Sequence, residues 1–446
     1  MEALRRNIRK IFQAALSSVD PYKAVYRHLI LNKNTLLLNT GSRSTEKRLD
    51  LRQFKRIFVL GAGKAAVPMA AACEELFHQK IFWGFVVTKY GHSKSLRTIE
   101  VLESGHPVPD AASLQGARKI LTTLTETQKK DLVIFLTSGG CSALLAQPVP
   151  PITLMEKKKL TRLLLQSGAN IQEMNAVRKH LSLIKGGNLA KAAYPSTVIN
   201  LILSDVVGDE LDVIGSGPFV PDPSTFQEVW EVIEKYALKS RLSKKIVRHL
   251  SSGVEGRIEE TPKAGQPYFR NVSNLIIGNN LTALKSAAVK ARGLGYKTYI
   301  LTSQLQGEAR EIAKIYAAIA REIIESGHPF SPPVCILAGG EPTVTIKGKG
   351  LGGRNTELAL AVAIGIKNLN KTAFLSGGTD GTDGPTDAAG AIVIGHSYQK
   401  AIQRGLRPED YLRENDSYSF FKNTGELLVT GPTGTNVMDI HVLLAV

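Results

Sequence analysis

The 446-residue chain is 43% hydrophobic and 21% charged, an ordinary globular composition too long for one core, so two domains are expected. No apolar run of about 18 residues occurs, the three cysteines are scattered, and no Cys or His pair has zinc-site spacing; this argues against a membrane helix, a disulfide framework and a structural zinc, and suits a reducing, cytoplasmic setting. The net charge of +17 (56 basic against 39 acidic residues) is diffuse and the 6% of aromatics do not interleave with Arg or Lys, so anionic metabolites are expected as partners rather than nucleic acid or a membrane.

The first residues are basic and amphipathic. Leu4, Ile8, Ile11, Phe12 and Leu16 share one helical face. A mitochondrial presequence would look similar. A docked first helix is preferred, because Glu2 does not suit a presequence and the pattern runs on through Tyr22 to Leu31.

Apolar strands then alternate with helical patterns. Strands are expected at 56–60, 83–88, 132–136 and 198–203, with a helix at 65–76. Strand, Gly-rich turn and helix in repetition signify a parallel α/β sheet. Residues 251–268 are polar and carry three glycines and two prolines, which makes them the best linker candidate. Further strands are expected at 275–277, 298–301, 334–338, 343–346, 372–375 and 440–444. The segment 341–350 looks like a hairpin arm, so the second sheet should be mixed. The expected division is residues 1–250, a Rossmann-like domain with a mostly parallel sheet and N-terminal helices, and residues 270–446, a smaller mixed α/β domain.

In open α/β sheets ligands bind beyond the carboxyl ends of the strands, and the charged, Gly-rich clusters of this chain lie at such ends. Gly61-Ala62-Gly63-Lys64-Ala65-Ala66 fits a dinucleotide turn, yet no acid closes the next strand to hold a ribose. With Lys64 among the glycines, an anion site is preferred. Ser138-Gly139-Gly140-Cys141-Ser142 offers N–H groups and two hydroxyls to an oxyanion. It is not a nucleophile elbow, and Cys141 reads as a small residue in a tight loop.

Asn175, Arg178 and Lys179 fall at helical spacing, with His180 beside them as a satisfied local histidine or a catalyst, and Arg178 suits a phosphate or carboxylate. Asp205 and Asp209 follow a buried strand, where magnesium could take one or two carboxylates; an N-cap is the plainer role for Asp209. Asn279 follows another strand. Arg354 and Asn355 follow a Gly-rich loop, and an arginine at a helix start opposes the dipole unless an anion is near. The loop at 377–390 carries Asp380, Asp383 and Asp387 among five glycines, more carboxylates than a turn needs. No P-loop motif is present.

Taken in order, Gly61-Ala62-Gly63-Lys64, Gly105-His106-Pro107-Val108-Pro109-Asp110, Ser138-Gly139-Gly140, Leu203-Ser204-Asp205-Val206-Val207-Gly208-Asp209, Gly352-Gly353-Arg354-Asn355, the Asp-rich loop and Thr430-Gly431-Pro432-Thr433-Gly434-Thr435-Asn436 resemble the class II glycerate kinases, or MOFRL family. Some members were long labelled hydroxypyruvate reductases. The motifs span nearly the whole chain. Cys141 departs from the glycine of many relatives, which bears on loop geometry.

The resemblance implies two different α/β domains with the active site in the cleft between them, and Mg²⁺-assisted, ATP-dependent phosphorylation of D-glycerate at its 2-hydroxyl. Lys64 and Arg354 carry over as the family's cleft lysine and arginine. With Asp205 and Asp380 they form the expected catalytic set. Gly61, Gly63, Ser138, Gly139, Gly140, Ser142, Arg178, Asn279 and Asn355 are expected to bind substrate or phosphate, and Asp205, Asp209, Asp383 and Asp387 the metal. A homodimer is compatible with this reading. The rivals are an NAD(P)H-dependent hydroxypyruvate reductase, against which the missing ribose acid counts, and a non-catalytic metabolite-binding protein, which would not need so many carboxylates beside a cationic pair.

Overall fold

The computed structural model describes residues 1–39 and 46–446. Contacts divide the chain into two compact units. The first unit is Pro21–Ser204 with Asp209–Ile277; the second is Met1–Asp20, Asp205–Gly208 and Gly278–Val446.

The first unit opens with a small antiparallel sheet of β1 (Leu29–Asn32), β2 (Thr35–Leu38) and β3 (Lys47–Asp50). Its main sheet contains β4 (Arg56–Ala62), β5 (Ile81–Lys89), β6 (Ile99–Ser104), β7 (Asp131–Thr137), β8 (Thr197–Leu203) and β9 (Val272–Gly278), in the order β6-β5-β4-β7-β8-β9. Every pairing from β6 through β8 is parallel. β7 is buried at all seven positions, as an apolar run covered on both faces should be. Phe58, Leu60, Phe85 and Phe135 pack on one side with Ala117, Ile120 and Leu124 of the Ala111–Thr125 helix. The four strands expected in this half are all present, and the expected helix is Ala66–Phe77.

The segment expected as a linker is held inside this unit. The Lys244–Val254 helix runs into it, Thr261 Oγ1 donates to Asp222 Oδ2 at 2.9 Å, and the Asp222 N–H donates to Pro262 O at 2.9 Å. The strand expected to open the second domain, now β9, instead closes the edge of the first sheet.

The second unit contains β10 (Lys297–Leu305), β11 (Val334–Gly340), β12 (Thr372–Gly378), β13 (Gly390–Ile394), β14 (Leu427–Leu428) and β15 (Asp439–Ala445), in the order β10-β11-β15-β12-β13-β14. β10 and β11 are parallel and the remaining pairs antiparallel, so this sheet is mixed, as expected. The N-terminal helix, Glu2–Ser18, docks here by its apolar face. Leu4, Ile8, Ile11 and Phe12 are buried, and Ser286 Oγ donates to Ala14 O at 3.0 Å.

The expected strand at 343–346 does not form. The chain there is a loop pinned from outside: the Lys347 and Gly348 N–H groups both donate to Asn415 Oδ1, at 2.8 and 2.9 Å. A side chain at Gly348 would lie 2.2 Å from Glu414 O, and the pairing at 343–346 stops at an isolated parallel bridge between Thr343 and Glu308.

Candidate active site

In the first sheet, β5 and β6 lie on one side of β4 and β7 and β8 on the other, so chain order reverses between β4 and β7. That switch point is where an open α/β sheet leaves a crevice beyond its strand ends. Ala62 and Thr137 are register partners, which brings Gly63-Lys64 against Ser138-Gly139-Gly140. The two loops lock together. Lys64 N–H donates to Gly139 O at 2.8 Å, Ala65 N–H to Ser138 Oγ at 3.0 Å, and Ser138 N–H to Ala62 O at 3.2 Å. Gly63 has φ +146°, and a Cβ there would lie 2.0 Å from Ser138 Oγ.

Part of this donor set is used within the fold. Ser138 Oγ and the N–H groups of Gly63, Lys64, Ala65, Ser138 and Cys141 are bonded within the fold. Ser138 acts as a cap, supplied from another strand, for the Ala66–Phe77 helix, whose own N-cap Ala65 has no capping side chain. Lys64, which follows Gly63 in this pair of loops, is half-buried. His106 lies against Gly140; burial, and then Lys64, push its imidazole down to about 4, so it stands neutral beside the lysine. Cys141 is buried in the apolar core, as expected of a small loop residue.

Two residues past Gly140, Ser142 is gripped by cations. Arg178 Nη2 donates to Ser142 Oγ at 2.6 Å, and Lys185 Nζ reaches both Ser142 O and Oγ at 2.6 Å. The other members of the expected helical set turn elsewhere. Lys179 pairs with Asp212 at 3.1 Å and with Asp222 at 3.2 Å. His180 is satisfied locally by Ala176 O at 2.8 Å and Glu260 at 2.9 Å, the plainer of its two readings.

In the second sheet, register does the assembling. Asp439, the first residue of β15, is partnered by Gly340 of β11 on one side and Gly378 of β12 on the other. Arg354, the first residue of the Arg354–Gly365 helix, donates from Nε to Asp439 Oδ2 at 2.5 Å, from Nη2 to Asp439 Oδ1 at 3.1 Å, and from Nη1 to Glu341 Oε1 at 2.7 Å. The dipole conflict foreseen for Arg354 is thus met by protein carboxylates. Burial lowers the guanidinium's pKa, but Asp439 and Glu341 outweigh it and hold the charge. Burial pushes the Asp439 carboxyl up to about 6, against the pull of Arg354. A third of the Arg354 side chain remains exposed, enough to meet a ligand.

The Asp-rich loop divides into separate jobs. Asp383 is 2% exposed and is spent on the helix start: it accepts from Asn355 N at 2.9 Å, Thr356 N at 2.8 Å and Thr356 Oγ1 at 2.7 Å. Burial raises its pKa against those bonds. A Cβ on Gly353 would sit 2.4 Å from Asp383 Oδ1, which fixes glycine there. Asp387 accepts from Tyr418 OH at 2.7 Å. Asp380 accepts from Thr382 N and Oγ1 at 3.1 and 3.0 Å, and remains half-buried at the loop mouth.

Elsewhere, Asn355 lies inside, accepting from Ser376 Oγ at 2.6 Å. Asn279 caps the Asn280–Gly293 helix by accepting from Thr282 N at 2.9 Å. Asp205, in the second unit, accepts from Asn436 Nδ2 at 3.1 Å. Asp209, in the first unit, has φ +57°.

Among the described residues no three His, Cys, Asp or Glu side chains gather as a metal cluster. Asp380, Asp383 and Asp387 therefore do not form a joint metal cage. The donor set fits a magnesium that takes one or two carboxylates and completes its shell with phosphates and water. A side chain at Gly378 would meet Asp380 Oδ1 at 3.4 Å and Asp439 Oδ1 at 3.5 Å, so these two carboxylates flank the bare Gly378. Asp439 and Glu341 were missed in the sequence. The available signal was a charged residue heading an apolar strand and another directly after a strand-end Gly-Gly.

Two different α/β units with ligand-type loops at their strand ends define an α/β enzyme of the two-domain kind. Residues 7–251 match the model of a domain of unknown function, DUF4147, and residues 334–439 that of the MOFRL family. A glycerate 2-kinase of Pyrococcus horikoshii is 42% identical over 96% of this chain and 94% of its own length; a D-glycerate 2-kinase of Thermotoga maritima is 42% identical over 91% and 94%. A crystal structure of a Thermotoga maritima glycerate kinase superimposes with a TM-score of 0.89 at 40% identity, covering 100% of both chains. The chain belongs to the class II glycerate kinase, or MOFRL, family.

Proposed function

We propose that this protein is a glycerate 2-kinase, transferring the γ-phosphoryl group of ATP to the 2-hydroxyl of D-glycerate with Mg²⁺. The observation that carries this reading is Arg354, held by Asp439 and Glu341 beside Gly378 and Asp380, in a chain 42% identical to a D-glycerate 2-kinase.

Phosphoryl transfer needs positioning and charge neutralisation more than covalent help. In the first unit Lys64, positioned by the Gly61–Gly63 and Ser138–Gly140 loops, would neutralise phosphate. In the second unit Arg354 would hold the glycerate carboxylate or the transferring phosphoryl, its planar fork suiting either. As the 2-hydroxyl oxygen bonds to phosphorus, the bond to the leaving ADP oxygen breaks and the hydroxyl proton passes to a carboxylate. Asp380, half-buried, would take that proton. Asp205, Asp380 or Asp439 would hold Mg²⁺, which when bound would supply charge neutralisation for the donor phosphates.

Phosphorus NMR of the product from D-glycerate, ATP and Mg²⁺ tests the reading. The 2-phosphate is expected; the 3-phosphate, or no product, would overturn it. A parallel assay with hydroxypyruvate and NAD(P)H should show no nicotinamide oxidation.

A further inference from the structure

The strand that carries Asp439 starts from a strained residue. Met438, 3% exposed, has φ +68°, a left-handed backbone that residues with a side chain rarely adopt, and β15 begins directly after it. Glycine would take this φ without strain. With methionine in that place, the surrounding structure must hold it.

The hold is made by side chains that no step above uses, all within the second unit. Thr379 Oγ1 accepts from the Val437 N–H at 2.8 Å and donates to Met438 O at 2.6 Å. The Thr379 N–H donates to the same carbonyl at 3.0 Å. Asn280 Nδ2 donates to Val437 O and to Asp439 O, both at 2.9 Å. The Met438 N–H donates to Asn436 Oδ1 at 3.2 Å. Every backbone donor and acceptor of Val437 and Met438 is thus met, and the left-handed residue is fixed from both sides.

Two features set this clamp apart from ordinary packing. Asn280 Oδ1 is buried and has no partner, and it fits only because residue 339 is glycine: a Cβ there would lie 2.0 Å from that oxygen. An unpaired buried oxygen is costly, and the fold carries it together with the two bonds that the same amide donates. The second feature is where Thr379 stands. It lies between Gly378, the register partner of Asp439, and Asp380. One hydroxyl, with both its donor and its acceptor in use, therefore ties the loop of Asp380 to the entry of the strand whose first residue grips Arg354.

We infer that Thr379 and Asn280 are positioning residues for the phosphoryl transfer: they hold Met438 in its left-handed conformation and so set Asp439 and, through it, the guanidinium of Arg354. This deepens the kinase reading and rests on it.

A double-mutant cycle on the full chain tests the assignment. Thr379→Val keeps the side-chain shape and removes the hydroxyl, whereas Thr379→Ser keeps the hydroxyl. Thr379→Val should lower kcat/KM for D-glycerate about tenfold or more, and Thr379→Ser by less than about threefold. In an Arg354→Ala background Thr379→Val should cost less than about threefold further, because the group it positions is gone; general damage to the fold would cost the same factor in both backgrounds. Hydrogen exchange should show the Val437 amide exchanging about tenfold faster in Thr379→Val while amides within β15 keep their protection. Should Thr379→Val fail to fold, Asn280→Ala carries the same cycle. Wild-type kcat/KM in Thr379→Val, an equal loss in the Arg354→Ala background, or a Thr379→Ser protein as impaired as Thr379→Val would overturn the proposal. If the wild-type chain phosphorylates no glycerate, the kinase reading and the positioning role fall together, while faster exchange at Val437 would still show the clamp.

Discussion

Arg354 holds Asp439 through two parallel hydrogen bonds, Nε to Oδ2 at 2.5 Å and Nη2 to Oδ1 at 3.1 Å, although the residues are 85 positions apart. The grip, with Glu341 on Nη1, fixes the guanidinium while a third of the side chain stays exposed. Lysine cannot reproduce a bidentate fork. Arg354→Lys should therefore lower kcat/KM for D-glycerate about 100-fold, nearly as much as Arg354→Ala, in line with the loss of one preorganised charge donor. Steady-state kinetics decide this; activity retained within twofold in Arg354→Lys would show that point charge alone suffices.

Asp439 should also set an acid limb. Its folded pKa of about 6 stands above the ordinary carboxylate value of 3.8, so the folded state binds the extra proton between those values. The stability contributed by the neutral carboxyl is fully present below the unfolded value and is lost as pH rises through about 6. The Arg354 pair forms only over that same rise. kcat/KM should thus climb between pH 5 and 7, and Asp439→Asn should flatten that limb while lowering the plateau. Glu341 and Asp383 also face the guanidinium, so the limb is read as a difference between the two proteins. An unchanged limb in Asp439→Asn would assign it to another group.

Asp383 is expected to matter for folding before metal. Removing its carboxylate strips the Arg354–Gly365 helix of a cap that satisfies two N–H groups and a hydroxyl. Asp383→Ala should cost about 2 kcal/mol in denaturant unfolding, as a lost buried cap does. The Mg²⁺ concentration giving half-maximal rate should stay the same in whatever protein folds. A large rise in that concentration would restore Asp383 as a ligand.

Gly63→Ala places a Cβ 2.0 Å from Ser138 Oγ at a φ of +146°. The strain should cost about 1–3 kcal/mol and push the two strand-end loops apart. Thermal unfolding should report the loss, and KM for ATP should rise with it. Gly91→Ala is the control for a positive-φ glycine with open space, at φ +78° with nothing within 4 Å of a Cβ.

Lys64→Ala removes the charge that the two loops present. Its backbone N–H to Gly139 O bond is retained, so unfolding should be near wild type. The rate should fall about 100-fold or more, as when one electrostatic donor is removed. A wild-type kcat/KM would remove Lys64 from the site.

The sequence by itself determined the fold class and the strand-end position of the Gly-rich loops that follow β4, β7 and β12. Those depend on local periodicity and on the residue types that turns require. Tertiary structure decided who partners whom. Asp439 is an unremarkable strand residue until register sets it between Gly340 and Gly378. Three aspartates in one loop look equivalent in one dimension, yet Asp383 turns inward to a helix start while Asp380 stays at the loop mouth. Lys179 and Lys185 look alike as well, and only packing shows that one was given carboxylates and the other was not. Burial and pairing are properties of the folded chain, which no local pattern in the sequence carries.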